Sequence, residues 1–176
     1  MGYTVYWNSS DGVKIEDAAP DIRELLGFCK GERPDINITP PELAGALTEF
    51  EPILTGTQLI FNGAGEEGAE SFYLDDDQSG FGFCKTNRMP YDVAVKAALV
   101  LIQSHCDTPA QFRVGCDGSK MDWVPALTIL HELFAFDPEV FLYSSASHVM
   151  TEREVIEQIE SRWPELLNQG EQSDAK

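Results

Sequence analysis

The chain has 176 residues, 43% of them hydrophobic, and thirty Asp and Glu against twelve Lys and Arg give a formal net charge of −18. A chain of this size and composition can bury the core of one folded domain and is not typical of disordered proteins. Nucleic-acid affinity depends on Lys and Arg that neutralise phosphates, so the charge argues against direct binding to DNA or RNA.

Two further features bear on location. The longest apolar run, residues 97–102, is far shorter than the roughly 20 residues that cross a bilayer. The first residues lack the basic and apolar regions of a signal peptide. We therefore expect a cytoplasmic protein without membrane contact.

The first fifty residues predict one strand and two helices. Alternation over residues 3–7 indicates a strand. Pro20 suits the first turn of a following helix, and Gly31 suits its end. Residues 39–42 form a capping box that predicts a second, short helix ending near Pro52.

The middle of the chain predicts a β-meander followed by a core helix. Residues 57–61, 71–74 and 81–85 are strand-like and separated by turns, so antiparallel pairing in sequence order is expected. Residues 90–105 are apolar on almost every face. Their thin polar line of Asp92, Lys96 and Gln103 includes an Asp92–Lys96 pair at i,i+4, a spacing that contributes about 0.2–0.5 kcal/mol.

The last third predicts a strand over residues 111–116 and two helices. One begins near Asp122 and Pro125, with His131 on its polar side. The other opens with a capping box at Thr151. We expect one α+β domain over residues 1–168, with an antiparallel or mixed sheet of four to five strands packed against helices, and a flexible tail over residues 169–176.

The four cysteines do not predict a metal centre. Cys29, Cys84, Cys106 and Cys116 contain no CxxC pair, and their neighbours are largely apolar. Buried free thiols are therefore expected rather than a zinc site or a disulfide framework. No cofactor is predicted.

Two loop motifs match known ligand-binding patterns only in part. Residues 63–68 satisfy GxGxxG, but no helix is predicted after them, and Glu66 and Glu67 would face the phosphates. Residues 75–80 match the first half of a calcium loop, yet Thr86 occupies the position of the closing Glu. Acidic turns are the favoured interpretation of both segments.

Residues 80–83, Gly-Phe-Gly-Phe, resemble the RNP1 core of the RNA-recognition motif family, and residues 5–8 loosely resemble its RNP2 strand. The order of predicted elements is similar to that family's ferredoxin-like fold with insertions. The resemblance covers about a dozen residues. Ser79 and Thr86 replace a basic and an aromatic motif residue, so it implies the fold more strongly than it implies RNA binding.

The sequence therefore favours a non-enzymatic acidic protein that engages a basic partner protein, of the inhibitor, immunity or nucleic-acid-mimic type. The candidate partner-binding residues are the loop acids Glu66, Glu67, Glu70, Asp75, Asp76 and Asp77. The alternative is a small hydrolase or metal-dependent enzyme using Asp75, Asp77 or His131. The partial HExxH at His131 lacks its second histidine, because Ala135 stands in that place.

Overall fold

The N-terminal strand lies at the centre of a three-stranded antiparallel sheet in a computed structural model that describes residues 2–46, 50–143 and 149–162. Strand β1 (Thr4–Ser9) pairs with β6 (Gly80–Lys85) on one side and β7 (Phe112–Cys116) on the other. Val5 and Trp7 point into the main core, as the alternation predicts. Trp7 lies over Gly82, where a Cβ would come within 2.4 Å of the indole.

A second sheet is built around β4 (Gln58–Gly63). This strand pairs antiparallel with β2 (Leu43–Ala44), β3 (Ile53–Leu54) and β5 (Phe72–Asp75). Phe72 joins the two sheets, because its ring centroid lies 5.5 Å from that of Trp7 and 5.0 Å from that of Phe61. The two sheets therefore share one aromatic core.

Two expectations about these strands are wrong. Residues 43–44 and 53–54 pair with β4, so the predicted helix over residues 39–52 is not formed in the described part of that segment. The capping-box pattern is local, whereas the pairing depends on a strand far along the chain. The meander is also interrupted, because β6 pairs with β1 instead of β5.

Helix α1 (Ile15–Cys29) begins five residues before Pro20, which lies inside it. Its first turn is held from a distance, because the Ile15 amide donates to Asp76 Oδ1 at 2.9 Å. This cap, supplied from 61 residues away, sets the start of the helix earlier than Pro20 indicates.

Helix α2 (Asp92–Ser104) lies in the centre of the fold and packs against α1, α3 and β1. Its polar line is buried as well: Asp92, Lys96 and Gln103 are 7%, 3% and 4% exposed. The Asp92–Lys96 ion pair is present at 2.5 Å. It is thus a core interaction, not a surface one.

Three α-helices follow β7 in the described residues. A 3-10 turn over Lys120–Trp123 leads into α3 (Val124–Phe134), followed by α4 (Pro138–Tyr143) and α5 (Glu152–Arg162). None of the described helices is long and apolar enough to cross a membrane. The predicted tail, residues 169–176, lies outside the described residues.

The α+β fold class is confirmed, with the strands divided between two antiparallel sheets. Strands β1, β6 and β7, connected through α1 and α2, follow part of the ferredoxin-like order that the sequence suggested. Strands β2 to β5 form the separate second sheet.

Candidate partner-binding groove

The glycine-rich loop after β4 is closed around one buried side chain, Asn62. Its Oδ1 accepts from the amides of Gly63 at 2.8 Å and Ala69 at 3.1 Å. Its Nδ2 donates to the Ala69 carbonyl at 3.0 Å and to Ser71 Oγ at 3.2 Å. The side-chain amide of Asn62 thus hydrogen-bonds to both ends of the loop. Residues 63–69 therefore form a fixed hairpin connection between β4 and β5.

The glycines of the GxGxxG pattern serve this turn. A Cβ on Gly63 would lie 2.1 Å from the Glu67 carbonyl oxygen, so only glycine admits that backbone approach. Gly65 has a φ of 54°, in the left-handed region that favours glycine. The chain forms a 3-10 turn over Gly65–Glu67 and then enters β5. This agrees with the prediction of an acidic turn.

Pairing with β2 brings a second carboxylate to this loop. Leu43 lies opposite Gly63 in the register, and the Ala64 amide donates to the Glu42 carbonyl at 3.0 Å. Glu42 and Glu67 therefore border the same groove. Sequence reasoning selected Glu67 but assigned Glu42 to a helix cap, since nothing local signals that residues 43–44 reach β4.

The groove has a volume of about 730 Å³ and lies between the 38–42 segment and the first turns of α2 and α3. Its walls are mostly apolar and include Ile38, Pro40, Pro41, Val93, Val124 and Ile129. Pockets of about 300–1,000 Å³ with apolar walls and few polar groups are typical ligand sites. The groove is therefore the candidate site that the structure defines best.

Both carboxylates at the groove are exposed. In the part of the chain that the structure describes, neither Glu42 nor Glu67 forms an ion pair with a Lys, Arg or His. Glu66 is also exposed but does not border the groove. The arrangement can accommodate an apolar group beside a cation.

Asp75, Asp76 and Asp77 lie at the far end of the β4–β5 hairpin, whereas Glu70 lies at the loop end. Asp75 is opposite Gln58, five residues from Gly63, which is about 17 Å along a strand. The fold therefore does not gather the six acids into one patch.

Asp75 forms a hydrogen-bonded set with its neighbours. It accepts from Gln58 Nε2 and from the Tyr73 hydroxyl, each at 2.9 Å. The Gln58 hydrogen bond, followed by those of the Asp77 amide and Tyr73, lowers the pKa of Asp75. A charged, structured turn results.

Besides Asp75, two more of the six acids are engaged within the fold. Asp76 caps α1 through the Ile15 amide. Glu70 accepts from the Lys85 amide at 2.6 Å, and its carbonyl accepts from the Tyr91 hydroxyl at 2.6 Å. Of the predicted set, Glu66, Glu67 and Asp77 are the exposed residues without such a role in the described hydrogen bonds.

An exposed apolar stripe also lies beside Asp75. Ile53, Ile60 and Tyr73 are aligned across β3, β4 and β5 on one face of the second sheet. Ile53 and Tyr73 are 42% and 43% exposed. This stripe is flat, whereas the groove is concave.

The residues of the enzymatic alternative are not gathered together. His131 is exposed, and its Nδ1 lies 3.0 Å from the Phe136 carbonyl at the end of α3. Among the described residues, no group of three or more His, Cys, Asp or Glu could hold a metal ion. Asp75, Asp77 and His131 therefore form no common centre there.

The aromatic residues of the RNA-recognition resemblance are packed together. Tyr6 and Phe81 stack with centroids 5.6 Å apart and an interplanar angle of 22°. They are buried in a small cluster with Met150 and Phe83, on the side of the sheet opposite the main core. Tyr6 and Phe81 are thus buried, whereas base stacking would need exposed rings.

Comparison with known protein families, with curated proteins and with solved structures gives no match to this chain.

Proposed function

We propose that the protein is a non-enzymatic acidic binding protein that engages a basic partner protein, of the inhibitor, immunity or nucleic-acid-mimic type. The observation that supports this proposal is the pairing of Lys and Arg side chains with Asp and Glu of the same chain. Among the described residues, six Lys and Arg form ion pairs with Asp or Glu: Lys30, Arg33, Arg88, Lys96, Arg113 and Arg153.

These pairs leave the negative charge dominant at the surface. Lys96 is buried, so its charge is compensated inside the core. Arg33 contacts two carboxylates, those of Glu24 and Asp35. A pair of opposite charges adds nothing to the net charge, so the excess of eighteen acidic over basic residues lies on the rest of the chain. Such a field steers a basic protein toward the surface and repels an acidic one.

The experiment has two stages. The protein, biotinylated and immobilised, captures partners from a lysate of its source organism at low salt, and the captured proteins are identified by mass spectrometry. Association of each purified partner is then timed at 0.1 M and 1 M salt, between which the Debye length falls from about 10 Å to about 3 Å. We expect partners with basic surfaces and association at least tenfold slower at high salt.

A charge-reduced variant provides the control. Glu66→Gln, Glu67→Gln and Asp77→Asn together remove three exposed charges without touching the capping Asp76. The variant should associate more slowly and depend less on salt. A specific partner with a neutral or acidic surface, or one that associates equally fast at both salt concentrations, would contradict the proposal.

A further inference from the structure

We infer that the groove bordered by Glu42 and Glu67 is the docking site for one segment of the basic partner protein: a peptide with an apolar side chain close to a Lys or Arg. This inference rests on the proposed function and adds the surface and the chemistry of the segment it binds. We infer the chemistry of this segment from the apolar walls of the groove and from the two carboxylates, Glu42 and Glu67, at its edge.

The walls select the apolar side chain. Val93 and Val124 lie near the starts of α2 and α3, and Ile129 is one turn further along α3. Together with Ile38 they form a concave apolar surface. An inserted aliphatic or aromatic side chain would exchange water for these contacts on every side.

Four prolines make the groove preformed. Pro40, Pro41, Pro90 and Pro125 all line it. Each has a fixed φ and no backbone N–H, so these walls are stiff and offer no amide donors at those positions. A stiff site loses little conformational freedom on binding, and a site poor in donors favours side-chain burial over β-strand addition.

The two carboxylates at the edge of the groove favour a cation in the ligand. The backbone at Glu67 is held against Gly63, which fixes this residue at the groove, and Glu42 is tied to the same loop through Ala64. A Lys or Arg of the ligand would pair with these carboxylates at the edge of an apolar surface. A second copy of this chain is disfavoured, because two molecules of charge −18 repel each other.

The test uses random peptides of about twelve residues displayed on phage and selected against the whole protein. We expect enriched peptides to combine Lys or Arg with a nearby large apolar residue. An enriched peptide, synthesised and titrated by methyl NMR, should shift Ile38, Val93, Val124 and Ile129. Shifts confined to Ile60, on the flat stripe beside Tyr73, would overturn the inference.

Matched variants separate groove charge from overall charge. Glu42→Gln/Glu67→Gln and Glu132→Gln/Glu160→Gln each remove two exposed carboxylates, and the second pair lies outside the groove and outside the predicted partner-binding set. The first pair should weaken peptide binding about fivefold and the second less than twofold. Equal effects of the two pairs would overturn the inference.

A third variant fills the groove. Thr128 is exposed at its edge, so Thr128→Trp should abolish binding while the melting temperature and methyl dispersion report an intact fold. If Thr128→Trp binds normally, or if selection yields no binding peptide, the docking site is refuted. If peptides bind in the groove without any excess of Lys or Arg, the basic-partner proposal fails while the groove remains a binding site.

Discussion

Replacing Lys96 with Met should destabilise the fold far more than replacing Arg153 with Met, although both residues form i,i+4 ion pairs. The Asp92–Lys96 side chains are 10% and 3% exposed, whereas those of Arg153 and Glu157 are 88% and 55% exposed. The chain thus provides the same helical spacing in two environments.

The structure gives the expected magnitudes. Lys96 Nζ donates to Asp92 Oδ2 at 2.5 Å, to the Tyr3 hydroxyl at 3.0 Å and to the Asp122 carbonyl at 3.0 Å. Without it, the Thr86 hydroxyl, 2.5 Å from Asp92 Oδ1, is the one side-chain donor left to the buried carboxylate among the described residues. Breaking a buried pair in this way costs about 3–5 kcal/mol, against about 0.3–0.5 kcal/mol for an exposed helical pair.

Urea unfolding followed by tryptophan fluorescence measures both free energies, since Trp7 and Trp123 are buried. The double variant Asp92→Asn/Lys96→Met supplies the control. Asn keeps an acceptor for the Thr86 hydroxyl but leaves no buried charge. We therefore expect the double variant to be more stable than Lys96→Met alone.

Losses in the free energy of unfolding that agree within about 1 kcal/mol between Lys96→Met and Arg153→Met would contradict this prediction. That result would mean that the Asp92–Lys96 pair is solvated and that its burial contributes little.

Three further predictions concern single groups. Ala135 has a φ of 53° at the end of α3, so Ala135→Gly should raise the free energy of unfolding by about 1 kcal/mol in a thermal melt. The Arg113 hydrogen bond lowers the pKa of Glu154 from 4.5 to about 2, so the stability from this pair is present above pH 4.5 and is lost as the pH falls toward 2. Glu154→Gln should remove that part of the pH dependence, as urea titrations at several pH values would show. Burial raises the pKa of the Cys29 and Cys84 thiols to about 12, so these two should react with a disulfide reagent only when the protein unfolds.

Local patterns in the sequence predict much of the secondary structure. The alternation around Val5 and the continuous apolar run of α2 both correspond to elements of the fold. These signals survive because strand and helix periods depend on near neighbours. Helix α3 follows from its own apolar spacing in the same way.

The interactions that position these elements join residues far apart in the sequence, and no periodic pattern signals them. Asp76 caps α1 from a distant turn, and Glu42 reaches the glycine-rich loop only because residues 43–44 pair with β4. Lys96 was predicted to form its i,i+4 ion pair, but its burial depends on Tyr3 and on the 3-10 turn before α3. To predict any of these interactions, one must know which distant segment of the chain lies beside the residue.

The glycine-rich loop shows why a motif must be judged by its surroundings. In a dinucleotide-binding loop, glycines let the backbone approach pyrophosphate at a helix N-terminus. Here Gly63 permits an equally close approach, but the group that comes near is the Glu67 carbonyl. The same lack of a side chain that could have admitted an anion therefore holds a carboxylate-bearing residue at an apolar groove. We expect a site so arranged to repel phosphate and attract a cation, so the charge of the loop bears more on the proposed partner than its glycine spacing does.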